Sequence, residues 1–244
     1  MASRLHSILS GCLDVLFPRD CMLTGEPVAA ASPYLYFNRV STAEMGIVAA
    51  PHCNRCGFPF FGDLEFLRMC PHCIELEPEF GEGRTCMLMR GVGREVIHEL
   101  KYHRGWHLLQ DIRQIVRATP GFIDFLQDAV MVPVPLHPRK QRERGFNQAD
   151  LLAKIFADEA VGAKCCKALQ RVRYTNSQTQ LKRVARQKNM ADAFTVRAGF
   201  KPQAHTRYIV VDDVFTTGAT VNACSLALKE AGANVVDIAT LGHG

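Results

Sequence analysis

A chain of 244 residues with 48% apolar and 22% charged side chains can bury a substantial core, and its mixed composition excludes a fibrous or wholly disordered protein. The net charge of +5 is unevenly spread, because residues 139–188 hold thirteen Lys/Arg against four Asp/Glu and leave about −4 for the rest. The middle of the chain therefore either suits an anionic partner or forms a solvated basic face. Leu5, Ile8, Leu9, Cys12, Leu13 and Leu16 recur at helical spacing, but Ser7, Ser10 and Asp14 break up the apolar run. That segment reads as a helix packed on its own domain rather than on a membrane surface, and neither as a secretory leader nor as an inserted span. Ten cysteines without a leader suggest a reducing, cytoplasmic compartment, where paired cysteines serve metals more often than disulfides.

Residues 1–85 are rich in Pro, Gly and Cys and poor in sustained periodicity, as expected of a small domain held by something other than a large core. Within it, Cys53, Cys56, Cys70 and Cys73 form two Cys-x-x-Cys pairs thirteen residues apart, spacing that suits a tetrahedral structural Zn²⁺ in a zinc-ribbon-like domain. Four thiolates leave no open position for catalysis. A redox or disulfide pair is the alternative, and His52 and His72 are adjacent spares. Residues 75–84, with four acids, a proline and two glycines, read as a linker to a second domain over residues 86–244.

The texture then changes. Residues 86–89 suggest a strand, and Val92, Val96, Ile97 and Leu100 a helix that is interrupted at Gly105. Residues 129–134, 208–211 and 235–240 are short runs rich in β-branched residues without strict alternation, as in strands buried on both faces of a parallel sheet. One helix should start after an Asn147 cap and run through Leu151, Leu152, Ile155 and Phe156; another should span residues 219–231 and stop at Gly232. Strand, helix and strand over residues 208–240 make a right-handed crossover unit of an α/β sheet. No internal repeat is evident from the sequence.

The strongest chemical signal is the segment 208–220, YIVVDDVFTTGAT. An apolar strand ends in two carboxylates, and a Thr/Gly turn then opens a helix whose first N–H groups can meet a phosphate. Thr216, Thr217 and Thr220 add hydroxyls, while Gly218 permits close approach of the backbone or a positive φ. Asp212 and Asp213 repel a phosphate but can accept hydrogen bonds from vicinal sugar hydroxyls, so the implied ligand is a ribose 5-phosphate. An ordinary βα turn with a polar cap is the plainer alternative. Upstream, Pro133, Pro135 and Pro138 stiffen a turn that leads into Arg139, Lys140, Arg142 and Arg144. Those arginines could clamp a pyrophosphate, although a rigid turn at a sheet edge would use the same prolines.

The segment 208–220 resembles the signature of phosphoribosyltransferases. That resemblance implies a type I phosphoribosyltransferase-like parallel sheet flanked by helices, Asp212 and Asp213 on the ribose hydroxyls, residues 216–220 on the 5-phosphate, and Mg²⁺ arriving with phosphoribosyl pyrophosphate. It also implies that Pro135, Leu136 and His137 lie beneath the pyrophosphate, and that a mobile loop over residues 171–189 brings Arg173 and Arg186 to the leaving group, a solvated basic helix being the plainer reading of that stretch. Taken with Leu100-Lys101-Tyr102, the run 132–137 (VPVPLH), the run 144–148 (RGFNQ) and the dispersed set Arg173, Thr175, Gln178, Leu181, Arg186, Asn189 and Phe194, the chain resembles the ComF competence-protein family over roughly residues 90–244. Membership implies a part in handling incoming single-stranded DNA during natural transformation. A phosphoribosyltransferase of nucleotide or base metabolism and a non-catalytic sugar-phosphate sensor are the alternatives. The family carries further cysteine pairs nearer its N-terminus, but here Thr24 stands where a partner for Cys21 is expected. Phe146, Phe156 and Tyr174 are the only aromatics inside the basic stretch, too few to suggest a stacking platform there.

Overall fold

The computed structural model describes residues 19–61, 69–102, 105–173 and 193–244; the helix expected over residues 5–17 lies outside them. Five parallel strands form one sheet: β1 (Gly83–Leu88), β2 (Val130–Pro133), β3 (Lys164–Cys165), β6 (Arg207–Phe215) and β7 (Val235–His243), in the order β1-β7-β6-β2-β3. A two-stranded antiparallel pair, β4 (Leu169–Arg171) with β5 (Phe194–Val196), stands apart from it. The fold is the expected parallel α/β sheet.

Side-chain alternation along β6 divides the core. Ile209 and Val211 pack on one face with α3 (Val92–Tyr102), α4 (Leu109–Ala118), α5 (Phe122–Leu126) and much of α7 (Gln148–Glu159). Tyr208 and Val210 pack on the other with α8 (Ala219–Glu230), the β4–β5 pair and the four clustered cysteines. Helices thus cover both faces, as a fully apolar parallel strand requires.

Several strands outrun their expected limits. β6 continues through the acid pair to Phe215 because β7 continues beside it, with Asp212 opposite Thr240 and Phe215 opposite His243. β1 begins at Gly83, inside the expected linker and across the suggested division at residue 85. The preceding residues lie along the sheet: Gly81 N–H donates to the Val236 carbonyl at 2.8 Å and Glu82 N–H to the Asp237 carboxylate at 2.7 Å. α7 is capped as expected, the Asn147 side chain accepting from the Ala149 N–H, and α8 runs from Ala219 to Glu230 with Gly232 at a φ of +107°.

The order of the strands sets where a ligand can bind. The crossover from β2 through α7 to β3 moves outward one way, and that from β6 through α8 to β7 moves the other way. Chain direction therefore diverges between β2 and β6, and the crevice beyond their carboxyl ends is the preferred ligand position in such sheets.

Candidate sugar-phosphate site and cysteine cluster

The acid pair sits at this switch point. Alternation sends Asp213 toward α3, where its Oδ2 lies 3.3 Å from Lys101 Nζ, and Asp212 toward the α8 face, where its Oδ1 accepts the Asp213 N–H at 2.9 Å. Both carboxylates line a cavity of about 150 Å³ with Lys101, Leu136, Lys140, Arg144, Gln148 and Arg171. Burial and the neighbouring Asp213 carboxylate push the Asp212 carboxyl up to about 7, against opposing pulls from the Asp213 N–H, Lys101 and Arg171. Burial, then Arg171 and Arg144, pull the Lys140 ammonium below its ordinary value. Two acids and four cations around one small space are a mixed field, suited to a ligand with both hydroxyls and phosphates.

The glycine of the Thr/Gly turn is fixed by its surroundings. Gly218 has a φ of +70°, and a Cβ there would come within 2.6 Å of Leu76 and of Phe215. It heads α8 without a side-chain cap of its own, and the Ala219 N–H donates to Thr217 Oγ1 at a long 3.5 Å, beside exposed Thr216. Ala219 and Thr220 follow, both half-buried.

The proline turn is held under the same crevice. The Asn147 amide donates to the Val134 carbonyl at 2.9 Å, and the Val134 N–H donates to the Val211 carbonyl, also at 2.9 Å. Leu136 reaches the cavity; Pro135 is buried behind it and His137 caps a short helix, α6 (Pro138–Arg144), accepting the Arg139 N–H. Of the expected arginines among the described residues, only Arg144 lines the cavity. Arg139 is exposed and paired with Glu143 at 3.1 Å, Arg173 is exposed beyond the end of β4, and Arg186 lies outside the described residues. Lys101, Lys140 and Arg171 had no assigned role in the sequence. The signal for Lys101 was its place in the Leu100-Lys101-Tyr102 motif, for Lys140 its place directly after the proline turn, and for Arg171 its place at the start of the stretch 171–189.

Cys53, Cys56, Cys70 and Cys73 are all buried, with their Sγ atoms within 4.8 Å of one another. Two tight turns carry them: the Gly57 N–H donates to the Cys53 carbonyl at 2.8 Å, and the Cys73 N–H to the Cys70 carbonyl at 3.0 Å. The Cys70 N–H also points at the Cys53 sulfur, 3.2 Å away. Four converging sulfurs on two knuckles fit a structural metal. This unit buttresses the site, because α2 (Pro71–Leu76) lays His72 edge-on to Phe215 at 5.9 Å and Leu76 against Gly218, and the Glu79 N–H donates to Asn222 of α8.

A second knuckle pair precedes it, contrary to the expectation of no internal repeat. Thirty-two residues earlier, Cys21, Thr24, Asn38 and Ser41 occupy the same spacing. The backbone repeats too: Cys21 N–H to the Glu26 carbonyl matches Cys53 N–H to the Phe58 carbonyl, and Gly25 N–H to the Cys21 carbonyl matches Gly57 N–H to the Cys53 carbonyl, all at 2.8 Å. Side-chain hydrogen bonds occupy its centre: the Asn38 amide donates to Thr24 Oγ1 at 2.9 Å, and the Cys21 thiol to Ser41 Oγ at 3.3 Å. The repeat was hidden because three of the four positions that correspond to the thiols carry other residue types, Thr24, Asn38 and Ser41. Cys86 and Cys224 are buried singly, Cys165 is exposed and Cys166 half-buried.

A parallel sheet with an acid pair at its switch point, followed by a Thr/Gly turn and helix, defines a phosphoribosyltransferase-like protein. The chain belongs to the ComF competence-protein family: it is 34% identical to the DNA utilization protein YhgH of Salmonella typhi, over 76% of this chain and 81% of that protein. It is 26% identical to Competence protein F of Haemophilus influenzae over 81% of this chain and 87% of that protein, and 31% identical to Competence protein ComFC of Bacillus subtilis over 62% and 59%. No protein-family model matches the chain. Among solved structures it is similar to a hypoxanthine phosphoribosyltransferase from Staphylococcus aureus (TM-score 0.34, 12% identity, 55% of this chain and 64% of that one). A purine phosphoribosyltransferase from Pyrococcus horikoshii is also similar, with a TM-score of 0.31 and 14% identity over 57% of this chain and 84% of that one. Among the described residues, no helix is long and apolar enough to cross a membrane.

Proposed function

We propose that the cavity binds phosphoribosyl pyrophosphate or a related sugar phosphate, in service of single-stranded DNA handling in the cytoplasm. The observation that carries this reading is the pair Asp212 and Asp213 at the divergence of β2 and β6, opening on a cationic cavity beside an uncapped helix N-terminus. The carboxylates accept from the ribose 2′ and 3′ hydroxyls. Backbone N–H groups and hydroxyls of residues 216–220 hold the 5-phosphate. Lys101, Lys140, Arg144 and Arg171 supply the positive charge that a pyrophosphate requires, with Pro135 to His137 forming the floor of that subsite. Mg²⁺ suits the hard oxygens of the pyrophosphate and accompanies it. Arg173 and Arg186 belong to the stretch proposed to close over the ligand.

Loss of pyrophosphate builds positive charge on the ribose and negative charge on the leaving group, and this site has the opposite sign available at each end. That favours a phosphoribosyltransferase, although a sensor would use the same contacts without turnover. The cysteine cluster binds Zn²⁺ as a structural ion in a proposed N-terminal domain ending near residue 85. The names of the competence and DNA utilization relatives support the biological role.

Isothermal titration with Mg²⁺ and phosphoribosyl pyrophosphate tests the ribose assignment. The Asp212→Asn/Asp213→Asn double variant should bind at least about thirtyfold more weakly, the loss of roughly 2 kcal/mol of charge-assisted hydrogen bonding. Equal affinity in the two proteins would remove the two aspartates from the site.

A further inference from the structure

Two aromatic pairs lie close, in space or along the chain, to Arg144, a cation of this cavity: His98 with Tyr102, and Trp106 with Phe146. Tyr102, the last residue of α3, is 65% exposed, and Trp106, which opens the following 3₁₀ turn, is 56% exposed. The Trp106 ring lies 6.2 Å from that of half-buried Phe146, and the His98 ring lies 4.9 Å from that of Tyr102. The Arg144 guanidinium stands over the Tyr102 ring at 5.9 Å. Arg144 and Lys101, the neighbour of Tyr102, both line the cavity, so the Tyr102 ring adjoins its cationic surface.

One exposed ring needs no explanation, but an exposed tyrosine under a guanidinium, and an exposed tryptophan against a phenylalanine two residues from that same arginine, combine flat faces with fixed positive charge. A protein partner would favour an apolar patch with a polar rim, whereas here the cations are interleaved with the rings. A duplex hides the faces of its bases. Unpaired bases joined by phosphates have the matching alternation. We propose that Tyr102, Trp106 and Phe146 form a stacking platform for the bases of a single-stranded nucleic acid, with Lys101, Lys140 and Arg144 meeting its phosphates. The proposal deepens the sugar-phosphate reading and rests on it only in sharing these cations. Counting aromatics inside residues 139–188 missed the platform because Tyr102 and Trp106 come from an earlier element. Phe156, counted there, is fully buried against Phe122.

Trp106 is the only tryptophan in the chain, so its fluorescence reports on the platform alone. Titration of the full chain with an oligothymidylate of about 15 nucleotides should quench it in parallel with the anisotropy of the labelled strand. Tyr102→Ala and Trp106→Ala should each weaken binding by about five- to a hundredfold, and Trp106→Phe should restore most of the affinity. An abasic strand of equal length should bind weakly and leave the fluorescence unchanged. Both alanine variants should bind Mg²⁺ and phosphoribosyl pyrophosphate as the wild type does. Failure of every protein to bind the sugar pyrophosphate would count against the cavity reading and leave the platform standing. The platform is overturned by oligonucleotide binding without quenching and without loss in the alanine variants, or by no oligonucleotide binding at all. It is likewise overturned if free bases or self-association of the chain quench Trp106 while the strand does not.

Discussion

Lys101 and Asp213 show how the site is held together before any ligand arrives. Their ion pair is partly shielded from water, with side-chain exposures of 26% and 12%, and it neutralises one of two adjacent carboxylates. Lys101→Met is expected to lower stability by about 1–2 kcal/mol in denaturant titration, less than for a fully buried pair. Asp212 bears the remaining strain as a carboxyl held at about 7 against an ordinary 3.8. A carboxyl raised in this way contributes stability that is complete below pH 3.8 and is lost as pH climbs through about 7. The urea midpoint should therefore fall between pH 5 and pH 8, and fall less in Asp212→Asn; an equal fall in both would mean that Asp212 is not the group responsible. The acid pair was legible in the sequence because two adjacent carboxylates after an apolar run are rare and chemically specific. Lys101 was not, since it meets Asp213 across 112 positions that only the packing of α3 on β6 closes.

The two knuckle pairs share a backbone and differ in what fills them. The sulfurs of Cys53, Cys56, Cys70 and Cys73 converge in one, whereas Thr24, Asn38 and Ser41 join Cys21 through hydrogen bonds in the other. One metal ion per chain is expected by elemental analysis, and two after the triple change Thr24→Cys, Asn38→Cys and Ser41→Cys; a second ion in the unaltered protein would contradict the hydrogen-bonded assignment. Because α2 packs His72 and Leu76 on the turn at Phe215 and Gly218, chelation of the metal should also weaken sugar-pyrophosphate binding, a coupling that calorimetry with and without chelator can read. Helix limits were legible where a cap was written in the sequence, as at Asn147 and Gly232. Strand limits were less so: β6 runs on to Phe215 because of its partner β7, and nothing within residues 208–215 reveals that partner.

At the scale of the molecule, the strand order turns separate motifs into one site. β6 lies between β7 and β2, so the proline turn after β2 meets the acid pair of β6, and α3 brings Lys101 from an earlier part of the chain. Parallel α/β architecture followed from the apolar runs and the crossover, but the order of strands did not, since adjacency in such a sheet is set by packing over long separations. The basic stretch was legible as charge and not as geometry: Lys140, Arg144 and Arg171 face the cavity, while Arg139 turns outward to Glu143. A crystal structure of the full chain with Mg²⁺ and phosphoribosyl pyrophosphate tests the central claim most directly. The expected result is the ribose hydroxyls on Asp212 and Asp213 with the 5-phosphate against residues 216–220; a ligand bound elsewhere, with the two carboxylates still turned to Lys101 and the Asp213 N–H, would contradict it.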